Sequence, residues 1–349
     1  MTPIERLPVP LLLWYRENAR TLPWRSDPTP YHVLVSEIML QQTRVSAVLD
    51  YYARFLDALP DVRALAEADG DTLLKLWQGL GYYNRARNLQ RAARVIVRDF
   101  GGVFPGDYET LLTLPGVGEY TAGAIASIAF GEPVPAVDGN VLRVLARLTG
   151  DDTDIRSIPL RRQYRTALLD VIPRDMPGTF NQALMELGAI VCLPNGTPLC
   201  DRCPAAEFCR AHSEDRTDSL PVRSRARARR VEERVVFLLF HGDRIALRRR
   251  PERGLLAGLW EYPNELSPAE DALSRWDIRA TLTPVGQGKH IFTHVEWHMT
   301  ALTGETETDA LPEGWQWADS RALRREFAVP SAFQAFTPYV TSVIGEGSL

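Results

Sequence analysis

Four cysteines are all this chain contains, and they fall in one short stretch: Cys192, Cys200, Cys203 and Cys209. Seven residues separate the first pair, two the next and five the last. Thiolates are soft anionic ligands, and four that converge can hold a zinc ion or an iron–sulfur cluster. Spacing alone leaves zinc and iron both open. Disulfides fit less well: two bridges inside about eighteen residues would be cramped, and nothing in the sequence reads as a secretory signal. Two carboxyls form a second candidate set. Glu37 sits in the apolar run Val33-Leu34-Val35-Ser36-Glu37-Ile38-Met39-Leu40. An apolar setting disfavours the charged form, raises the pKa and suits Glu37 to act as a general acid near neutral pH. Asp138 precedes a helical run, Val141 to Leu148, where a carboxylate caps the helix and is held ionised by the dipole and backbone donors. Carboxyls whose pKa values are pushed apart divide acid and anion roles. Each residue also has an ordinary structural explanation, a salt-bridged glutamate and a helix cap, and spacing does not show that they meet.

The turn Leu114-Pro115-Gly116-Val117-Gly118 opens onto an apolar helix starting near Glu119. Unpaired N–H groups at such a helix start attract phosphate without a cationic side chain. A helix expected over Tyr108 to Thr113 makes this a helix–hairpin–helix, an element that grips a nucleic-acid backbone.

The elements that must carry these residues change character along the chain. From Ile4 to about Val191 helical apolar spacing recurs, as in Val45 to Phe55, Leu89 to Val97 and Val141 to Leu148. Pro and Gly punctuate the breaks. The stretch His212 to Arg230 is polar and basic and reads as an exposed linker. Beyond it, Val235 to Phe240, the turn His241-Gly242-Asp243 and Ile245 to Leu247 predict a hairpin; Trp260 to Pro263, Ile291 to Met299 and Leu311 to Trp317 predict further strands. The division is therefore 1–211 helical, 212–230 linker and 231–349 a separate α+β domain.

Bulk properties are those of an ordinary globular chain, with 45% hydrophobic and 24% charged residues. No segment reads as membrane-spanning or targeting, so the cytoplasm is the default compartment. The net charge of −4 argues mildly against a polyanion partner. Its distribution argues otherwise: arginines recur at 85, 87, 91, 94 and 98, at 161, 162 and 165, and at 223, 225, 227, 229 and 230. Solvated helix faces explain the same pattern.

Taken together, the hairpin at Leu114–Gly118, the downstream Asp138 and the cysteine segment resemble the endonuclease III superfamily of base-excision DNA glycosylases. The stretches Leu22-Pro23-Trp24-Arg25, Ser36 to Thr43, Trp77-Gln78-Gly79-Leu80-Gly81-Tyr82-Tyr83 and Phe180-Asn181-Gln182-Ala183 are similar to its adenine-specific branch. The resemblance covers essentially the whole chain. It implies an all-α glycosylase core with a [4Fe–4S] cluster held by the four cysteines, then a Nudix-like α+β domain. The implied activity is hydrolysis of the N-glycosidic bond of adenine opposite 8-oxoguanine or guanine in duplex DNA. A monomer associated with the nucleoid is expected.

Residue by residue, the resemblance implies that Glu37 protonates adenine N7 while Asp138, with Tyr120 and Asn140, stabilises the sugar cation. Arg20, Trp24, Arg25, Leu40 and Gln182 would line the adenine pocket. Gln42 and Tyr82 would fill the vacated stack and hold the opposite base, with Thr43 and Leu80 beside them; Leu114, Gly116, Val117 and Gly118 would meet the backbone. Bifunctional relatives place a lysine nucleophile where this chain has Tyr120, and tyrosine cannot form an imine, so a monofunctional enzyme is expected. The C-terminal domain lacks the glutamate-rich metal helix of Nudix hydrolases, which implies binding without hydrolysis. Its recognition loop would be Phe292-Thr293-His294, where the family usually has serine in the middle. The family also usually has six residues, not seven, between the first two cysteines; the turn-forming Asn195-Gly196 can absorb one more. Rival readings are a non-catalytic DNA clamp, a nucleotide-pool hydrolase and a pyrimidine-specific lyase. The carboxyl pair, the missing metal helix and Tyr120 argue against each in turn.

Overall fold

The computed structural model describes residues 1–224 and 228–345. Arg225 and Arg227 of the basic run lie outside the described residues. The N-terminal part is helix after helix, as the periodicity predicts. In chain order these are α1 (Pro8–Asn18), α2 (Pro23–Ser26), α3 (Pro30–Leu40), α4 (Val45–Ala58), α5 (Val62–Glu67), α6 (Gly70–Leu76) and α7 (Asn84–Phe100). They continue through α8 (Tyr108–Leu112), α9 (Glu119–Phe130), α10 (Gly139–Thr149), α11 (Ile158–Leu169), α12 (Pro177–Ile190) and the short α13 (Arg210–Ser213). No helix among the described residues is long and apolar enough to cross a membrane.

Contacts divide the chain into two compact units that do not follow the sequence division. The first comprises Met1–Glu67 with Arg87–Ala226; the second comprises Ala68–Ala86 with Arg227–Leu349. The segment carrying Leu80 and Tyr82 thus belongs with the C-terminal unit. Residues 212–224 are only partly the exposed linker expected. Leu220 is buried and its carbonyl accepts from Arg147 Nε at 2.8 Å, while Val222 O accepts from Ile155 N at 3.1 Å.

Start and stop signals in the first unit lie where side chains can act on helix ends. Pro30 opens α3 behind Thr29, whose hydroxyl accepts from His32 N. Asp107 caps α8, Asp138 caps α10 and Ser157 caps α11. The core gathers Leu7 just before α1, Leu11 of α1, Val141 and Leu145 of α10, Tyr164 and Leu168 of α11 and Phe180, Leu184 and Leu187 of α12.

The second unit is built on one sheet of β1 (Arg230–His241), β2 (Arg244–Arg249), β3 (Trp260–Glu261), β4 (Asn264–Leu266), β5 (Thr283–Ile291), β6 (Val295–Glu305) and β7 (Trp315–Ala318). The order is β3-β2-β1-β6-β5, with β4 on β1 and β7 on β2. β1 and β6 run parallel along their whole length; the other pairings are antiparallel. The run Val236 to Phe240 is buried on both faces, as an unbroken apolar strand should be. Val236, Leu238 and Phe240 face one core with Trp297 and Phe333; Phe237 and Leu239 face another with Ala272 and Ile278. The expected strand over Ile291 to Met299 is instead a hairpin tip. β5 ends at Ile291, Phe292 N donates to Val295 O at 2.8 Å, and β6 starts there. A β-branched run broken by one polar Thr-His pair carries no Gly or Pro to announce a turn. α14 (Ala272–Arg275), α15 (Ser320–Arg325) and α16 (Thr337–Ile344) complete the unit.

Candidate active site

Glu37 and Asp138, a hundred residues apart in sequence, belong to one buried cluster in the first unit. α9 packs on α3 and α12, and α10 packs on α12. α3 brings Glu37, α9 brings Tyr120 on its first turn, and Asp138 is the residue before α10. The Tyr120 hydroxyl donates to Glu37 Oε2 and lies 3.6 Å from Met185 Sδ of α12. Asp138 Oδ1 accepts from Val141 N at 2.7 Å, and Oδ2 accepts from Asn140 Nδ2 at 2.8 Å. The segment before Asp138 is pinned from α12: the buried Asn181 side chain accepts from Ala136 N and donates to Val134 O and Ser127 Oγ. α12 approaches α10 closely because residue 188 is glycine; a Cβ there would come within 2.6 Å of Asn140 Cβ.

Burial sets the protonation of this cluster. It pushes Glu37 up to about 7, Tyr120's hydrogen bond opposing and the Asp138 charge adding to the rise. Tyr120 is raised well above its ordinary value by burial and then by Glu37 and Asp138. Asp138 corrects the expectation of a carboxylate simply held down by its helix end. It is the cap, but desolvation outweighs the Val141 and Asn140 hydrogen bonds and raises its pKa. The two carboxyls are therefore electrostatically coupled, each costly to ionise, with the phenol of Tyr120 sensing both.

Next to them is an ion cluster that the sequence reading missed. Glu186 of α12 is fully buried and accepts from Arg20 N, Nε and Nη2 at 3.0, 2.7 and 2.8 Å and from Arg25 Nη2 at 2.8 Å. Burial alone would raise Glu186, but the bonds from Arg20 and then Arg25 overrule it and hold it at about 2. Gln182, one turn earlier, accepts from Tyr15 OH at 2.9 Å. Arg20, Arg25 and Gln182 are thus organised by Glu186 and Tyr15. The available signal was an acid inside the apolar run Ala183-Leu184-Met185-Glu186-Leu187, four residues after Gln182. Trp24 is buried edge-on against Tyr52 at 5.3 Å, and Leu40 ends α3 half-buried.

The hairpin forms as expected between α8 and α9. Gly116 needs its φ of +77°, and a Cβ there would strike Asn88. Gly118 stands before α9 with no side chain capping the helix, so its N–H groups stay available. Leu114 and Val117 are buried anchors of the turn, which the Val117 N–H closes on Leu114 O at 3.1 Å. A pocket at this helix end is lined by Gly116, Gly118, Tyr120, Arg161 and Arg165, with one acid, Glu119, among them. Arg165 lies over the Tyr108 ring at 4.8 Å with its buried Nε unpartnered. A helix start flanked by guanidiniums suits an anion. Gln42 is exposed with φ +56° just after α3, and Thr43 N closes the turn on Leu40 O.

All four cysteines line one otherwise mainly apolar cavity with Val144, Leu148 and Leu187. Burial raises the Cys203 thiol to about 12 and also raises Cys200 and Cys209. Arg143 and Arg147 are buried there and form no ion pair with a carboxylate among the described residues, although the Asp138 charge acts on Arg143. Arg147 Nη1 donates to Cys192 Sγ at 3.3 Å; Arg143 donates to Cys192 O, Gly188 O and Asn140 Oδ1. Two buried guanidiniums, Arg147 on the Cys192 sulfur and Arg143 on the Cys192 carbonyl, fit an anionic thiolate-ligated group. No group of three His, Cys, Asp or Glu among the described residues could hold a single metal ion.

In the second unit Tyr82 and the loop Phe292-Thr293-His294 come together. Tyr82, half exposed with φ +47°, has its hydroxyl 3.2 Å from Thr293 Oγ1. The Phe292 ring is wedged between His290 at 4.5 Å and Trp297 at 4.9 Å, and Thr293 and His294 are exposed. Leu80 is buried, and its carbonyl and that of Gly81 accept from Arg85, whose guanidinium lies over Trp77 and Tyr82. So the arginines of α7 are not one stripe: Arg85 is buried here, while the exposed Arg98 pairs with Asp99. Glu261, where a Nudix hydrolase carries metal-binding acids nearby, is buried and held by Arg248 and Arg250.

Fold and site together define a helix–hairpin–helix base-excision glycosylase with an appended Nudix-like domain. Residues 35–172 match the HhH-GPD superfamily base excision DNA repair protein family, and residues 235–337 match the NUDIX domain family. The adenine DNA glycosylase of Rattus norvegicus is 36% identical over 91% of this chain and 77% of its own length. That of Homo sapiens is also 36% identical, over 91% and 73%. Among solved structures, a thermostable thymine-DNA glycosylase superposes with a TM-score of 0.55 at 28% identity, covering 61% of this chain and 97% of that one. The chain belongs to the adenine DNA glycosylase family, hydrolases that act on N-glycosyl bonds.

Proposed function

We propose that this chain removes adenine paired with 8-oxoguanine or guanine from duplex DNA, as a monofunctional, monomeric enzyme carrying a [4Fe–4S] cluster. The observation that carries the reading is the buried Glu37–Tyr120–Asp138 cluster. Adenine is a poor leaving group as an anion. Glu37, half-protonated near pH 7, donates its proton to N7 of the flipped-out base. The electrons of the C1′–N9 bond leave with a neutral adenine. Asp138, aligned by Asn140, offsets the positive charge left on the sugar. Water then adds to C1′, its proton passes to a carboxylate, and an abasic site remains. Tyr120, where bifunctional relatives have lysine, holds Glu37 in place and forms no imine.

The Glu186–Arg20–Arg25 cluster and Gln182 supply fixed donors and acceptors for adenine's edge. The hairpin pocket with Arg161 and Arg165 takes a backbone phosphate. Tyr82 and Thr293, which meet at the hairpin tip, address the base opposite adenine. Cys192, Cys200, Cys203 and Cys209 would hold the cluster, whose contribution is to cross-link the loop that Arg143 and Arg147 tie to α10. The test is single-turnover release of free adenine from duplexes with adenine opposite 8-oxoguanine, guanine or thymine. Release from the first two alone is expected; equal release opposite thymine refutes the mispair specificity.

A further inference from the structure

Met185 of α12 touches the carboxyl cluster and has no part in the proposed chemistry. It is half-buried, one turn beyond Gln182 on the same helix. The Tyr120 hydroxyl has two acceptors within reach, Glu37 Oε2 and, at 3.6 Å, Met185 Sδ. A phenol carries one proton, so it serves one of them fully at a time. An ionised carboxylate is the stronger acceptor, so Tyr120 donates to Glu37 while Glu37 is charged. A protonated Glu37 has lost that charge and has a proton of its own to donate. The phenol oxygen can accept it only if the phenolic proton points elsewhere, and the thioether is the acceptor that lies there. Filling space does not by itself call for methionine, since α12 uses leucine at 184 and 187 in the same core. What sets methionine apart is its sulfur.

We propose that Met185 is a positioning residue: its sulfur takes the Tyr120 hydroxyl while Glu37 is protonated, and the hydroxyl turns to Glu37 once that proton has gone. The phenol keeps its own proton throughout, and only its acceptor changes. Each acceptor favours one form of Glu37, so removing the sulfur penalises the protonated form alone. The other groups that act on Glu37 are Asp138, before α10, and Arg25 of α2. Glu186 of α12 is engaged by Arg20 and Arg25, His32 of α3 by Asp27, and Tyr52 of α4 lies against Trp24 and His32. Met185→Leu alters none of these; it keeps the volume and deletes the acceptor.

Infrared titration of the full chain reads Glu37 without DNA, as the carboxylic-acid band that Glu37→Gln removes. In Met185→Leu the midpoint of that band should fall by about 0.5 to 1 pH unit, the worth of one hydrogen bond made in the protonated form only. Met185→Gln, which offers an amide oxygen from a chain of similar length, should return the midpoint towards wild type. In a Tyr120→Phe background Met185→Leu should move nothing, because no hydroxyl is left to turn. A midpoint that stays or rises in Met185→Leu, as a merely more apolar neighbour would cause, overturns the proposal. So does a fall that persists in the Tyr120→Phe background. The part that Met185 plays in catalysis rests on the glycosylase reading, which a second readout separates. In single-turnover adenine release opposite 8-oxoguanine, the descending limb of the pH profile should move down with the infrared midpoint. An infrared shift with an unmoved limb supports the hydroxyl switch and counts against Glu37 as the acid.

Discussion

The carboxyl cluster of the first unit and the hairpin tip of the second solve opposite problems. Glu37 is buried at 6% exposure, and α3, α9 and the start of α10 have to meet for Tyr120 to bond it and the Asp138 charge to act on it. Tyr82, at 50% exposure, and Thr293 are offered to solvent on loops, with Tyr82 in a left-handed backbone conformation. A proton donor for neutral pH has to be dry, because only desolvation lifts a glutamate that far. A residue that inspects a base has to be reachable before the base arrives. On the proposed function, burial makes the chemistry and exposure makes the choice of substrate.

That contrast predicts different failures in the two regions. Asp138→Asn should have the largest effect, lowering single-turnover adenine release by at least ~10³-fold while duplex binding persists. Turnover within tenfold of wild type would remove Asp138 from the mechanism. Glu37→Gln should cost ~10²–10⁴-fold in the same assay, the range for general-acid help. At the tip, Tyr82→Ala should reduce release about tenfold to a hundredfold and erode the preference for 8-oxoguanine over guanine, as loss of base stacking worth ~1–3 kcal/mol would. An unchanged preference would assign discrimination elsewhere. Arg165→Ala should weaken binding to all duplexes alike and reduce the slope of log affinity against log salt by about one. A sequence-dependent loss would contradict a phosphate role.

Stability offers a subtler test of the buried site. Glu37 has a folded-state pKa of about 7, above that of an exposed glutamate, so the folded chain binds more protons than the unfolded one between about pH 4.5 and 7. Its contribution to stability falls as pH rises across that window and is flat above it. Glu37→Gln should therefore gain stability relative to wild type on going from pH 5 to pH 8, by at most a few kcal/mol. Chemical denaturation at the two pH values measures it, and an equal difference at both would mean that Glu37 ionises freely.

Much of this was legible in the sequence, for local reasons. Apolar neighbours revealed that Glu37 is buried, a helix start revealed the Asp138 cap, and four clustered cysteines revealed one cavity. What stayed hidden depends on distant residues. Glu186 looks like one acid in a helix until Arg20 and Arg25 arrive from about 160 residues away. The raised pKa of Asp138 could not be read from its cap, because capping is local and desolvation comes from everything packed around it. Residues 68–86 sit in the helical stretch by sequence, yet Lys75 and Gln78 spend their hydrogen bonds on carbonyls of Leu323, Phe327 and Val329.

The central claim is that one buried glutamate supplies the proton that frees adenine. The pH profile of single-turnover release from a duplex with adenine opposite 8-oxoguanine tests it most directly. Wild type should lose rate as pH rises through about 7, and Glu37→Gln, with no proton to lose, should be slow and flat across the same range. A descending limb near pH 7 that persists in Glu37→Gln would contradict the account.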